Sequence, residues 1–103
     1  MKAQLVISTF PNVETARSIG TQLVEENLAA CVNIFPGEVE SIYRWKGKIE
    51  TGKEVIAFLK TTRYAELEQR LAKLHPYEVP EIIAVDIAKG LPAYLEWLRS
   101  AAG

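Results

Sequence analysis

The spacing of apolar and polar positions changes several times along this chain, and each change marks an element. Ala3 to Phe10 is almost continuously apolar or β-prone and stops at Pro11, the pattern of a strand buried on both faces. Asn12 then suits a helix N-cap, with Glu14 in the first turn. Val13, Ala16, Ile19, Gly20, Leu23 and Val24 recur at helical spacing, and Asn27 can take the left-handed conformation that ends a helix. Ala29 to Phe35 is a second strand-like run, broken at Pro36-Gly37. From Val39 the pattern alternates, with Val39, Ser41, Tyr43 and Trp45 on one face and Glu40, Ile42 and Arg44 on the other. Lys46-Gly47 is a tight reversal, although lysine is an unusual residue for a two-residue hairpin turn. Lys48 to Lys60 returns as the partner strand, weak near Thr51-Gly52 and strongly apolar from Val55 to Leu59.

Thr61 or Thr62 is expected to cap a second helix whose buried stripe is Tyr64, Leu67, Leu71 and Leu74. A stiff connector, His75-Pro76-Tyr77-Glu78-Val79-Pro80-Glu81, leads into a last apolar run, Ile82 to Ile87. Lys89-Gly90 turns the chain, and Pro92 opens a final helix with Leu91, Tyr94, Leu95 and Leu98 inward. Ser100 to Gly103 is expected to fray.

The order β-α-β-β-α-β with an appended helix predicts an α+β fold: a ferredoxin-like sandwich with a four-stranded antiparallel sheet and helices on one face. The first and last strands, being the most apolar, are expected to form its central pair. One length conflicts with an isolated subunit. Two strands of about 14 residues make a hairpin roughly 45 Å long at ~3.3 Å per residue. A compact domain of this size spans only some ~35 Å. The hairpin must bend or overhang, and an overhang carrying Tyr43, Trp45 and Ile49 calls for cover by another subunit.

Composition narrows the class. The 103 residues form one domain, 1–103, large enough for a core without disulfides or metal. Thirteen acidic and twelve basic residues leave a net charge of −1, without the excess of basic groups that nucleic acid or a membrane surface attracts. The third strand, Glu54 to Lys60, holds a single aromatic, which argues against RNA binding by an RRM-like surface. One cysteine allows no internal disulfide, and the apolar start is too short for a signal or a membrane span; a cytoplasmic location is expected.

The candidate chemistry gathers on few residues. The connector holds the only histidine, a tyrosine and two carboxylates within seven residues. Cys31 and His75 are the first pair to weigh, as nucleophile and base or as metal ligands. Among Ala29, Ala30 and Val32, however, Cys31 fits a small buried hydrophobe. His75 could equally hydrogen-bond the end of the preceding helix. One His, one Cys and one Met cannot make a three-ligand nitrogen/sulfur site in one chain, so ligation would need Glu78, Glu81 or a neighbour's groups. Tyr43, Trp45, Tyr77 and Trp97 suit core lids or interface anchors. Trp45 on an overhanging hairpin could meet a neighbour's His75 connector and form a cleft between subunits.

Several blocks occur in order: Ala29-Ala30-Cys31-Val32-Asn33, Ser41 to Glu50 (SIYRWKGKIE), Lys60-Thr61, His75 to Glu81 (HPYEVPE) and Tyr94-Leu95 with Trp97. Together they resemble the CutA divalent-cation-tolerance family over essentially the whole chain. The resemblance implies a tight homotrimer similar in architecture to the PII signalling proteins. It also implies a link to tolerance of copper and other divalent cations, and no enzymatic activity. By position it implies an inter-subunit cleft drawing on Cys31, Tyr43, Trp45, Glu50, Lys60, His75, Tyr77, Glu78 and Glu81. Copper is the first metal it suggests, not required for folding, with His75 as ligand. Ser8 stands where some members carry cysteine, and Leu74 where some carry a second histidine. Three readings stay open: a trimeric binding or regulatory protein taking a divalent metal or a small polar ligand, an enzyme using His75 as acid or base, and a trimeric assembly module without a ligand.

Overall fold

The chain, seen as a computed structural model, is described over residues 2–102. Its elements run β1 (Gln4–Phe10), α1 (Val13–Glu25), β2 (Cys31–Ile34), β3 (Val39–Trp45), β4 (Lys48–Thr61), α2 (Tyr64–Leu74), β5 (Ile82–Asp86) and α3 (Pro92–Ala102). The sheet is antiparallel in the order β2-β4-β1-β5, and β3 continues beyond β2 along the same edge of β4. Alternation sorts its residues. Val6, Ser8 and Phe10 lie opposite Leu59, Ala57 and Val55, and all six are buried. With Leu23, Leu67 and Leu71 from the two long helices, the five apolar ones form the main core. Gly20 lets α1 approach the sheet, because a Cβ there would stand 3.1 Å from a Val32 methyl.

Local chemistry sets the helix ends. The Asn12 side chain accepts the Thr15 N–H at 2.7 Å, as an N-cap should. Asn27, at φ 60°, closes α1 with bonds from its own N–H to the Val24 carbonyl and from Leu28 N–H to the Leu23 carbonyl. That is a Schellman ending, sealed by buried Leu23 and Leu28. In the hairpin turn both Lys46 and Gly47 have positive φ, 51° and 82°, as a type I′ turn demands. The less usual lysine is therefore accommodated.

Four expectations are corrected. The central pair is β1 with β4, and β5 is an edge strand: the 14-residue β4 reaches along both β1 and β2, whereas β5 pairs only with β1. The run Ala29 to Phe35 is strand only over Cys31–Ile34, because Pro36-Gly37 separates it from β3. Neither threonine caps α2. Thr61 Oγ1 donates to the Leu28 carbonyl at 2.7 Å and accepts the Arg63 N–H, Thr62 Oγ1 is buried without a partner among the described residues, and Arg63 takes the N-cap position. Finally, α3 continues to Ala102, held by packing against Ala3, Ala30 and Leu98 in a second small core. Gly103 lies outside the described residues.

The overhang is real. The chain measures 44 × 25 × 25 Å, and the far part of the hairpin leaves Ile42 and Ile49 70% and 60% exposed. The face of the sheet opposite α1 and α2 carries Ile7, Phe58, Ile83 and Val85, the last two 51% exposed each.

Candidate functional site

The connector after α2 is shaped by its prolines. Pro76 forces His75 out of helical geometry, to φ −71° and ψ 136°, so the helix stops there. The His75 ring turns inward, only 7% exposed, and stacks on Phe10 with ring centres 4.9 Å apart. Its Nε2 lies 2.7 Å from the Thr9 carbonyl oxygen, and its Nδ1 accepts the Tyr77 N–H at 3.2 Å. A carbonyl can only accept and an amide N–H can only donate. The partners therefore assign the neutral tautomer with its proton on Nε2. Burial pushes the His75 pKa below its ordinary value, opposed in part by the Thr9 carbonyl and the Glu54 charge.

Beside this ring, β3 and the start of β4 meet the connector. The Glu54 carboxylate accepts from Ser41 Oγ at 2.5 Å and lies close enough to the Tyr77 hydroxyl to raise its pKa. Burial, Glu54 and then Tyr43 push the Tyr77 hydroxyl up to about 12, so it stays a proton donor. In front lies an open groove of ≈ 610 Å³ walled by Tyr43, Trp45, Glu54, Tyr77, Glu78 and Glu81.

Of the residues expected to share a cleft, the groove gathers Tyr43, Trp45, Tyr77, Glu78 and Glu81, with His75 behind it. Glu50 lies opposite Tyr43 further out along the hairpin, exposed and outside the groove. Cys31 and Lys60 face each other across β2 and β4. Lys60 lies six residues from Glu54 along β4, about 20 Å at ~3.3 Å per residue. There Lys60 Nζ donates to Asn33 Oδ1 at 3.1 Å and to the Tyr94 hydroxyl at 3.3 Å, while Cys31 Sγ stands 4.0 Å from that hydroxyl. Cys31 is half-buried rather than sealed in the core.

Glu54 and Ser41 are two polar groove residues that sequence reasoning missed. A signal existed. Counting outward from the Lys46-Gly47 turn pairs Tyr43 with Glu50, Ser41 with Gly52 and Val39 with Glu54, all on the face of Trp45.

A divalent metal does not fit these residues. The Tyr77 amide occupies the one lone pair of the His75 ring, so His75 is a buried structural group here and not a free ligand. Among the described residues, no three His, Cys, Asp or Glu side chains converge as a metal site would need.

Known proteins match the whole of this architecture. The profile of the CutA1 divalent ion tolerance protein family matches residues 4–101. A divalent-cation tolerance protein CutA from Thermus thermophilus is 50% identical over 102 residues, 97% of this chain and 98% of that one. A solved structure of a divalent cation tolerance protein from Thermus thermophilus superposes with a TM-score of 0.93 at 48% identity, over 98% of this chain and 99% of that one. A protein from Archaeoglobus fulgidus, called a periplasmic divalent cation tolerance protein CutA, superposes with a TM-score of 0.92 at 35% identity, over 98% and 99%. With half its residues shared over nearly its full length and the fold superposing end to end, the chain belongs to the CutA1 divalent ion tolerance family.

Proposed function

We propose that this chain is a homotrimeric, non-catalytic binding protein of the cytoplasm, whose groove takes a small polar ligand and is completed by a neighbouring subunit. The observation that carries the reading is the Glu54 carboxylate, which accepts from Ser41 and lines an open groove with the Tyr77 ring and the other aromatic walls. Assembly is supported by the uncovered apolar sheet face, which places Ile83 and Val85 beside Ile7 and Phe58. Apolar patches of this kind on soluble proteins mark association surfaces. The overhanging hairpin supports the same reading, since its exposed isoleucines need cover. The relatives are named for divalent-cation tolerance. A regulatory response to a small ligand accords with that name without copper held at His75.

Sedimentation equilibrium tests the assembly: the wild type is expected as a trimer, and Ile83→Glu, placing a charge in the apolar face, as a dissociated species. A monomeric wild type overturns it. Titration with copper ions, followed at the His75 ring by NMR, is expected to leave His75 unchanged at stoichiometric metal. A His75 shift there would restore the metal reading.

A further inference from the structure

We propose that the groove recognises an organic cation, an ammonium or guanidinium group on a hydrophobic body, rather than a bare metal ion or an anion. The proposal rests on the binding reading above and names its ligand class.

The walls argue by elimination and by fit. Glu54, Glu78 and Glu81 border the groove, so an anion entering it meets like charge. Lys53 also borders it, but it alternates with Gly52 and Glu54 and so is rooted on the opposite face of β4. His75 is neutral and turned away, bonded to Thr9 and Tyr77. A bare divalent ion wants several converging ligands, and among the described residues no three such groups converge.

An organic cation asks for what is present. Two oxygens give a carboxylate about four acceptor positions. Ser41 fills one on Glu54, which helps fix its orientation and leaves the others for N–H donors. Tyr43, Trp45 and Tyr77 line the same walls, and aromatic faces attract cations by their quadrupoles. Val79 adds apolar lining for the body of the ligand. The ≈ 610 Å³ groove suits a small organic molecule better than an ion.

The test is a charge series of near-constant shape on the intact protein: phenethylammonium, 2-phenylethanol and phenylacetate. Binding is followed by NMR at the Trp45 indole N–H and the Tyr77 amide. Phenethylammonium is expected to bind at least about tenfold more tightly than the alcohol, a difference of ~1.4 kcal/mol, with phenylacetate weakest. Glu54→Gln is expected to abolish the preference while the alcohol still binds. Should Glu54→Gln not fold, Glu81→Gln at an exposed position is expected to reduce it by a few-fold. Equal binding of ammonium and alcohol, tighter binding of phenylacetate, or a preference untouched by both variants overturns the cation class and leaves groove binding standing. If no probe moves either resonance at millimolar concentration, the binding reading falls as well.

Discussion

Replacing His75 by phenylalanine isolates what the buried imidazole does. The substitution keeps an aromatic ring of similar size against Phe10 and removes both hydrogen bonds, from Nε2 to the Thr9 carbonyl and from the Tyr77 amide to Nδ1. An unsatisfied buried polar group costs about 1–3 kcal/mol. Thr9 is buried, so its carbonyl falls within that range, whereas the Tyr77 amide is only part-buried and water relieves some of its loss. Together they predict a destabilisation of about 2–4 kcal/mol. Urea unfolding at one fixed protein concentration measures it, since the stability of an oligomer depends on concentration. The variant should also lose a pH dependence. The folded pKa of His75 lies below its ordinary 6.5, so its contribution is present above that value and is lost as pH falls through the folded pKa. The wild type is expected to weaken through that acid window by more than His75→Phe does. A destabilisation under ~0.5 kcal/mol, within the ordinary range for surface changes, would refute a stabilising role for these two hydrogen bonds. So would NMR assignment of the ring proton to Nδ1.

The remaining predictions concern the groove and the frame. Tyr77 is expected to ionise near about 12 rather than 10, seen as the difference in ultraviolet titration between wild type and Tyr77→Phe. Its neutral form is the one favoured by folding, so the stability it adds is full below 10 and lost as pH rises through about 12. Glu54→Gln should move that titration back towards 10. Asn27→Ala keeps a β-carbon in the left-handed region at φ 60° but removes the short amide side chain that tolerates it, and should cost about 1 kcal/mol by urea unfolding, while Asn27→Gly should be neutral or slightly stabilising. Leu98→Ala empties the second core, where Leu98 is fully buried against Ala3, Ala30 and Ala102, and should cost about 2–5 kcal/mol.

The chain by itself determined what depends on neighbours along the sequence. Asn12 and Asn27 announce the ends of α1, because capping and left-handed geometry are properties of single residues and their adjacent amides. Element order predicted the sandwich, and the length of the hairpin predicted the overhang that the 44 Å long axis displays. The course of the connector was legible for the same reason, since its prolines set it locally.

Only the tertiary structure decided matters that hang on partners distant in sequence. An apolar run such as Ile82 to Ile87 looks the same whether its second face meets a core or a neighbour. Position in the sheet made β5 an edge, and the apolar second face became an uncovered surface. Ser100 to Ala102 looks like a fraying tail until Ala102 is found packed on Ala3 and Ala30. His75 carries the chemistry of a ligand in isolation. A carbonyl 66 residues away and the amide of Tyr77 claim both its nitrogens, while Glu54, unremarked in its strand, becomes the charge at the base of the groove. Side-chain identity sets what a residue can do; the groups that folding brings against it set which of those things remain available.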